Sequence, residues 1–356
     1  MKLVHAEIET KEYIMELCAK CLLPECFPNI TFDDKGVCNY CREYQPINYF
    51  GEKNLEKLIS GYRRPGQYEC VVPISGGRDS AFVLHQIVKQ YHLKPLVFNY
   101  DNGFATDKAK ENIRNAIECL RVDLVQKKSK RDIQTKLMGE NLKLNIKKSP
   151  LHVLRDLCNG CANGYKGGAL SLARKMRIPL IFFGDSKVEE SVYKKVIFEN
   201  ITPGIKEKLL HLILQPANFA KRKYYNYLLD KEFPFNNTIS SEVQNIHFFD
   251  YIEWDEEKIV KTIQKDLSWS GDDITTWRVD CKVHSLVDYL TYKLNGYNEK
   301  DEFYSKLIRQ GKIEREVAIE LLKSLRKRQQ KEIPEIFNLL HNLGIDNKQI
   351  HTLLTI

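Results

Sequence analysis

The feature that most constrains the fold is a glycine-rich segment between an apolar run and a helical pattern. The apolar run covers 70–74, and the segment reads Ser75-Gly76-Gly77-Arg78-Asp79-Ser80. Glycine adopts positive φ without steric cost, so its backbone N–H groups can approach a ligand closely. A helix from 81, capped by Asp79 or Ser80, adds an N-terminus that favours phosphate. The segment therefore predicts an anion-binding loop.

The spacing of this segment distinguishes between known kinds of phosphate-binding loop. It matches neither G-x-x-x-x-G-K-S/T nor G-x-G-x-x-G. It resembles the S-G-G-x-D-S loop of the N-type ATP pyrophosphatases, which transfer AMP from ATP to a substrate oxygen and release pyrophosphate. An ordinary strand-to-helix turn is the alternative, and the complete motif between a strand and a helix favours the nucleotide loop.

Strand-like and helical patterns alternate in the middle of the chain. The patterns predict strands at 69–74, 95–100, 122–127 and 179–184, and helices at 80–90, 106–120, 130–144 and 165–177. This alternation predicts an α/β fold with a doubly wound, mostly parallel sheet. Ligands of such sheets bind beyond the carboxyl ends of the strands. We therefore expect 75–80, 100–103 and 184–185 at one rim. Thr106 is expected to cap its helix.

Four cysteines near the N-terminus have the spacing of a zinc site. Cys18, Cys21, Cys38 and Cys41 form C-x2-C-x16-C-x2-C, which is typical of a four-thiolate site. The segment between the two pairs has too few apolar residues to fold alone, so Zn²⁺ is expected to supply folding free energy. Four unrelated reduced cysteines are the alternative, and Cys26 is interpreted as a bystander.

A second cysteine group is less constrained by its spacing. Cys158 and Cys161 form a C-x-x-C after a helical pattern at 151–157, on the connection into the fourth strand, and Cys281 follows much later. Three interpretations stay open: a metal or three-cysteine iron–sulfur cluster, a redox or sulfur-carrying dithiol, or reduced cysteines in the core. Cys70 and Cys119 lie in apolar patterns and are predicted to be core residues.

Composition and charge argue against a membrane-inserted, a secreted and a nucleic-acid-binding protein. A chain of 356 residues with 29% charged residues fits a soluble globular protein. The absence of a long apolar run and of a signal-peptide core predicts a cytoplasmic protein without membrane insertion. The net charge of +8 includes basic runs at 127–131 and 323–331. These are interpreted as solvated helix faces, so nucleic acid is not the expected partner.

The chain divides into three predicted segments. Residues 1–50 form a four-cysteine zinc-binding module, 51–250 an ATP-binding α/β domain, and 251–356 a helical C-terminal region. The helices of the third segment are predicted at 256–264, 282–294, 300–309, 314–327, 334–343 and 347–354. Cys281, His284 and Asp288 would share one helix face there, which fits either a substrate site or a core.

Motifs outside the loop resemble those of a known family. They lie at 18–24, 30–33, 36–41, 75–80, 99–103, 276–281, 287–290, 300–304 and 311–316. In these segments the chain is similar to the N-acetyl sugar amidotransferases of surface-polysaccharide and flagellar-glycan biosynthesis. These PP-loop ATPases convert an N-acetyl group of a sugar into an acetamidino group. Arg78 stands where relatives usually carry Lys, and Asp185 where they often carry Glu.

The resemblance implies ATP, Mg²⁺ and Zn²⁺ as cofactors. Arg78 would neutralise phosphate charge, and Asp79, Asp101 or Asp185 would hold Mg²⁺. ATP would contact the loop and the strand ends through Ser75, Gly76, Gly77, Arg78, Asp79, Ser80, Tyr100 and Gly184. The substrate would be a nucleotide-linked N-acetyl sugar. A separate glutaminase with a cyclase-like, ammonia-channelling subunit would supply ammonia, because nothing in the chain resembles a glutaminase.

Two rival functions use the same motifs. A tRNA thiolase also combines a zinc module, S-G-G-x-D-S, a C-x-x-C and a third cysteine, but its nucleophile is sulfur and its activated oxygen is on a nucleobase. A zinc-stabilised, nucleotide-binding scaffold of a glycan-synthesis complex is the non-enzymatic alternative.

Overall fold

A five-stranded sheet forms the centre of the protein. The computed structural model describes residues 16–63, 66–146, 150–192, 215–232, 243–272, 274–275, 277–278 and 280–355. The strands are β1 (Cys70–Pro73), β2 (Pro95–Asp101), β3 (Asp123–Lys128), β4 (Leu180–Phe183) and β5 (Gln244–His247). They lie in the order β3-β2-β1-β4-β5, and every neighbouring pair is parallel. The predicted α/β class and parallel sheet are confirmed.

Helices surround this sheet and continue to the end of the described chain. They are α1 (Asn39–Arg42), α2 (Glu52–Tyr62), α3 (Arg78–Lys89), α4 (Asp107–Leu120), α5 (Ile133–Asn145), α6 (Pro150–Met176), α7 (Pro216–Glu232), α8 (Glu256–Leu267), α9 (Lys282–Asn295), α10 (Glu299–Arg309), α11 (Arg315–Lys331), α12 (Ile333–Asn342) and α13 (Asn347–Thr355). No described helix is long and apolar enough to span a membrane.

Alternate residues of the strands face two different apolar layers. In β1, Val72 packs in the layer that contains α3, whereas its neighbour Val71 packs in the layer that contains α6. In β4, Phe182 and Phe183 divide in the same way. Successive side chains of a strand point to opposite faces, so a sheet with apolar side chains on both faces needs helices on both. This arrangement confirms the doubly wound architecture.

Two helix starts test the sequence-based capping predictions. Thr106 Oγ1 accepts a hydrogen bond from Ala109 N at 3.1 Å, so the predicted cap of α4 is confirmed. The prediction for α3 is wrong: its N-cap is Gly77, with no side-chain cap. The helix begins earlier than predicted, so Asp79 and Ser80 lie inside its first turn, past the position from which a side chain caps.

The second C-x-x-C lies inside a helix. Cys158 and Cys161 belong to α6, which runs unbroken over 27 residues. This helix leads into β4, as predicted, but the predicted break between helices at 151–157 and 165–177 is wrong. Glycines are unfavourable inside a helix, but Gly164 is required by packing: a Cβ there would come 2.3 Å from the Tyr100 ring. Among the lone cysteines, Cys70 is buried as predicted, whereas Cys119 is exposed beside the buried stripe of α4.

The C-terminal helices join the sheet and the N-terminal module into one packed structure. Phe303 and Leu322, from α10 and α11, share an apolar cluster with the sheet. The N-terminal module contacts the same helices, since Leu22 N donates to Ser305 Oγ at 3.1 Å and Arg315 Nε to the Cys21 carbonyl at 3.2 Å. The cysteine module is thus anchored on the C-terminal helices.

Candidate functional site

The peptide between Gly76 and Gly77 is fixed in the loop that follows β1. The Gly76 carbonyl accepts hydrogen bonds from Trp269 Nε1 at 3.0 Å and Asn112 Nδ2 at 3.2 Å. In a trans peptide the N–H points opposite to the carbonyl, and Gly77 N accordingly donates to Ser75 Oγ at 3.2 Å. The carbonyl is thus turned away from the Ser75 side, and the loop presents an N–H there.

Only glycine fits at position 76. Its φ is +85°, and a Cβ atom would lie 2.2 Å from the Ala109 carbonyl oxygen. Ser80 Oγ completes the loop, because it accepts from Ser75 N at 3.3 Å and donates to the Gly77 carbonyl at 3.1 Å. A helix N-terminus without a side-chain cap binds anions through its first N–H groups. The start of α3 therefore has the chemistry of a phosphate site.

The side chain of Arg78 is buried behind the loop rather than presented to the rim. It bonds Asp79 at 3.1 Å, Glu189 at 2.6 Å and Glu256 at 2.6 Å, and it stacks on the ring of Trp254. Burial lowers the pKa of Arg78, but the three carboxylates outweigh it and raise that pKa above its ordinary value. The guanidinium is committed to these acids, so its predicted contact with phosphate stays a prediction.

Asp79 and Glu189 share this cluster. Asp79 Oδ1 also accepts from Trp254 Nε1 at 3.0 Å. Burial, followed by the negative charge of Asp79, raises the pKa of Glu189 well above its ordinary value. One cation thus anchors several carboxylates at the base of the loop.

A second polar group lies where β4 ends. A Cβ on Gly184 would lie 3.1 Å from Ser80 N, so this glycine lets β4 approach the loop. Asp185 follows it and pairs with Lys166 at 3.5 Å and His247 at 3.3 Å. The carboxyl ends of β4 and β5, together with helix α6, therefore bring Asp185 beside His247 and Lys166 at the predicted rim.

The Asp185–His247 pair shifts the pKa of both groups. The hydrogen bond to Asp185 is the largest effect on His247 and raises its pKa above the ordinary value, against an opposing effect of burial. For Asp185, burial raises the pKa, but the hydrogen bond from His247 and the charge of Lys166 outweigh it, so that pKa is lowered. The pair is therefore ionised together in mildly acidic solution.

The end of β2 carries one buried and one rim side chain. Tyr100 is buried, and its hydroxyl bonds Gln134 Oε1 at 3.4 Å. Asp101 Oδ1 accepts from Gly103 N at 2.9 Å, which closes the turn after the strand. The Tyr100 ring therefore packs in the core, and Asp101 stands at the rim.

Two of the three later cysteines meet beside this turn. Asn102 Nδ2 lies 3.5 Å from Cys161 Sγ and 3.7 Å from Cys281 Sγ. Asn102 Oδ1 accepts from Phe104 N at 2.8 Å, which directs the amide nitrogen at the two sulfurs. Gln134 Nε2 also approaches Cys161 Sγ, at 3.5 Å. Both sulfurs thus receive N–H donors, an environment that stabilises thiolate or metal-bound sulfur.

Cys158 precedes Cys161 by one turn of α6, and its side chain lies outside the described residues. The structure thus brings Cys161 and Cys281 together, and the prediction of a three-cysteine group stays a prediction.

A strand-like segment of the C-terminal region reaches the rim. Lys282 N donates to the Phe104 carbonyl at 2.9 Å, and Thr106 N donates to the Asp280 carbonyl at 3.1 Å. Asp280 Oδ2 would lie 3.1 Å from a Cβ on Gly77. The C-terminal region therefore forms one wall of the loop, whereas the sequence left Cys281 and the helix that follows it open between a substrate site and a core.

The four N-terminal cysteines form a separate, buried site. Their Sγ atoms all lie within 4.8 Å of one another, with Cys18–Cys41 at 3.9 Å and Cys21–Cys38 at 3.7 Å. A tetrahedron with Zn–S bonds of about 2.3 Å places its sulfurs about 3.8 Å apart. The backbone N–H of Cys38 also donates to Cys18 Sγ, at 3.2 Å. The donor set therefore fits a single tetrahedral Zn²⁺.

Sequence reasoning missed several residues of the rim. His247 was missed because β5, with only one apolar residue among four, gave no strand signal. Lys166 lies in a helix that was predicted, but its contact with Asp185 is between distant segments and has no signal in the sequence. Asn102 lies inside a quoted motif, but its contact with two distant sulfurs has no signal in the sequence.

Comparisons with known proteins give limited similarity. No protein-family model matches the chain. It is 29% identical over 100 residues to the uncharacterized protein MJ1599 of Methanocaldococcus jannaschii, a match that covers 27% of this chain and 36% of that protein. The chain thus spans about a third of the length of this relative. A structure of the U34-tRNA thiolase NcsA from Methanococcus maripaludis with its 4Fe–4S cluster is 16% identical, with a TM-score of 0.37. The similarity covers 84% of this chain and 87% of that one.

Proposed function

We propose that the protein is an AMP-forming, ATP-dependent enzyme that activates an oxygen atom of its substrate. The observation that carries this proposal is the loop at 75–80, which joins β1 to α3 at the carboxyl edge of the sheet. Its positive-φ Gly76, its oriented Gly77 N–H and the uncapped start of α3 suit a pyrophosphate group.

The proposed reaction has two steps. The acceptor oxygen attacks the α-phosphorus of ATP, the bond to the bridging oxygen breaks, and pyrophosphate leaves. A nucleophile then attacks the carbon that carries the new O-AMP group, and AMP leaves with the oxygen. Ser75, Gly77 and Ser80 would hold the pyrophosphate.

Mg²⁺ would neutralise phosphate charge when bound. Asp101 and Asp185 are the carboxylates at the rim that suit it as oxygen ligands. Asp79 is the least suited of the three predicted ligands, because its side chain is only 12% exposed and bonds Arg78 and Trp254, whereas the Asp185 side chain is 46% exposed.

Sulfur transfer is the acceptor reaction that the cysteine geometry favours. Cys161 and Cys281 come from distant parts of the chain, yet both contact Asn102 next to the proposed nucleotide site. Cys161 and Cys281, together with Cys158, are the residues that would hold an iron–sulfur cluster, which would supply a binding site for sulfide. The sulfide would attack the nucleobase carbon that carries the O-AMP group, a C–S bond would form, and AMP would leave with the oxygen. In this form the enzyme is a tRNA thiolase.

Amidation of an N-acetyl sugar is the second candidate, and the C-terminal segment favours it. The motifs at 276–281 and 300–304 carry the resemblance to the sugar amidotransferases. The first of them places Asp280 against the ATP loop. Here the acetamide oxygen of a nucleotide-linked sugar would accept AMP, and ammonia from a partner glutaminase would be the nucleophile.

Two measurements on the purified protein separate these possibilities. Iron and zinc are counted after anaerobic purification, and AMP release is measured with tRNA plus sulfide or with UDP- or CMP-linked N-acetyl sugars plus ammonium. Sulfur transfer requires AMP release with tRNA plus sulfide, and Cys161→Ser must abolish that release. Amidation requires AMP release with a nucleotide-linked sugar plus ammonium, and none when glutamine alone replaces the ammonium.

The loop itself needs its own control. Ser80→Ala should lower AMP release with whichever acceptor supports it in the wild type. Ser60→Ala, on the exposed face of α2, should leave AMP release unchanged. Absence of AMP release with both acceptor classes would overturn the enzyme proposal and favour the scaffold.

A further inference from the structure

Gly77 is a glycine that its backbone conformation does not require. Its φ of −74° and ψ of 162° lie in the extended region that any residue adopts. What glycine provides here is space, because an added Cβ would lie 3.1 Å from Asp280 Oδ2 and 3.2 Å from Ser75 Oγ. Both distances are shorter than an ordinary van der Waals contact of about 3.5 Å. The missing side chain therefore leaves a gap at the start of α3 that a carboxylate oxygen and a hydroxyl oxygen border.

The backbone of Asp280 is held beside this gap. Its carbonyl accepts a hydrogen bond from Thr106 N at 3.1 Å, and Cys281 pairs with Ala105 in an antiparallel bridge. Residues 105–106 belong to the segment that leaves β2, whose last residue is Asp101. The C-terminal region thus adds a carboxylate to the edge of the sheet that already carries Asp101.

Among the described residues, none neutralises the carboxylate of Asp280. It makes no ion pair and no hydrogen bond with them, although the residue is half-buried. The arginine of the loop does not serve it, because the Arg78 side chain is only 1% exposed and bonds three other carboxylates. An uncompensated negative charge therefore borders the place proposed for pyrophosphate, where it would repel a second anion.

A divalent cation would turn this repulsion into attraction. Mg²⁺ takes oxygen ligands and is usually held by one or two carboxylates together with the phosphates of a substrate. Asp280 Oδ2 and Ser75 Oγ, at the gap, are oxygen donors of this kind. Asp280 would break no ion pair with a described residue in order to bind the ion. The donor set therefore fits Mg²⁺ that arrives with a phosphate ligand.

We propose that Asp280 is a ligand of the Mg²⁺ that binds together with the phosphates of ATP. This inference rests on the proposed function and adds a residue that the loop motif does not contain. The gap at Gly77 and the uncompensated charge of Asp280 then have the same explanation, since both leave room for a cation beside the pyrophosphate.

A purely local role for Asp280 makes the opposite prediction. The partial positive charge of a helix N-terminus stabilises acidic side chains, and a carboxylate that served only α3 would compete with pyrophosphate. Removing that charge would then strengthen pyrophosphate binding with or without Mg²⁺. Removing a metal ligand, by contrast, weakens only the binding that depends on Mg²⁺.

The test variant is Asp280→Asn, which keeps the size of the side chain and the backbone hydrogen bond to Thr106. The control is Asp107→Asn, because Asp107 lies close by in the sequence of the same wall but is 88% exposed and bonds Lys110. Binding of pyrophosphate and of α,β-methylene-ATP is measured by calorimetry, once with Mg²⁺ and once with EDTA. Mn²⁺ bound in the presence of pyrophosphate is counted by electron paramagnetic resonance, and folding is checked by thermal melting.

We expect Mg²⁺ to strengthen binding of both ligands to the wild type. Asp280→Asn should bind them about 10- to 100-fold more weakly with Mg²⁺, should retain less Mn²⁺, and should bind no more weakly than the wild type in EDTA. Asp107→Asn should match the wild type throughout. Full Mg²⁺-dependent affinity in Asp280→Asn, an equal loss in Asp107→Asn, or wild-type binding that is independent of Mg²⁺ would overturn the role of Asp280. If the wild type binds neither ligand under either condition, the proposed ATP site itself fails, which is a different result.

Discussion

The carboxylate of Asp280 lies against Gly77, the N-cap residue of helix α3: a Cβ on Gly77 would come 3.1 Å from Asp280 Oδ2. The two residues belong to different predicted segments of the chain. Backbone hydrogen bonds join 280–282 to Phe104 and Thr106, in the segment between β2 and α4, and so fix Asp280 beside the loop. The C-terminal helical region is therefore part of the proposed nucleotide site, and its substitutions are expected to affect nucleotide binding.

Gly76→Ala should destabilise the protein and weaken nucleotide binding. The new Cβ would overlap the Ala109 carbonyl oxygen, and the positive φ would strain alanine. Together these cost about 3 kcal/mol. Gly51→Ala is the matched control, because Gly51 has a φ of +88° but no atom within 4 Å of its Cβ position. It should cost about 1 kcal/mol. Denaturant unfolding measures both, and equal losses would contradict the packing argument.

Arg78→Met should be strongly destabilising. It leaves the carboxylates of Asp79, Glu189 and Glu256 in a partly buried cluster without their cation, which costs about 3–5 kcal/mol. Arg78→Lys keeps the positive charge but loses the planar guanidinium that bonds several carboxylates at once, so the stability of this variant should be intermediate. Lys323→Ala removes an exposed ion pair and should cost less than about 0.5 kcal/mol. A stable Arg78→Met protein that has lost only ATP affinity would instead place Arg78 on phosphate.

Cys21→Ser should reduce bound zinc well below the wild-type value of about one ion per chain. It should also lower the melting temperature, because metal binding supplies folding free energy to this module. Cys26→Ser is the control, since Cys26 is exposed and its Sγ contacts the Asn295 carbonyl. Its zinc content, measured by mass spectrometry, should match the wild type. Loss of zinc in Cys26→Ser alone would contradict the assigned ligands.

The Asp185–His247 pair should give stability a specific pH dependence. The raised pKa of His247 means that its contribution is complete below its unfolded pKa of about 6.5 and is lost as pH rises through the folded value. The lowered pKa of Asp185 makes its contribution disappear as pH falls through its folded value. The pair therefore stabilises most between about pH 4 and 6.5.

His247→Gln should remove this dependence. The two side chains are 41% and 46% exposed, so solvent screening limits the effect to less than about 1 kcal/mol. Unfolding measured from pH 5 to 9 should show the difference between wild type and variant shrinking as pH rises. A difference that grows towards alkaline pH would contradict a protonated His247.

Local patterns predicted most of the elements of the fold. Alternating apolar runs located β1 to β4, and helical periodicity located α8 to α13. β5 was missed because Gln244–His247 is mostly polar. The predicted cap of α3 was wrong because the helix begins at Arg78, and the predicted break at Cys158–Cys161 was wrong because α6 continues through glycines that pack closely against β2.

The sequence by itself determined the parallel α/β sheet, the glycine-rich turn between β1 and α3, and the spacing of the four N-terminal cysteines, because each depends on residues near one another in the chain. Only the tertiary structure decided that Arg78 is buried among acids, that Cys161 and Cys281 both contact Asn102, and that Asp280 reaches the loop. These relationships depend on contacts between distant segments. Burial and charge pairing fix them, and no local pattern records which segments will pack together.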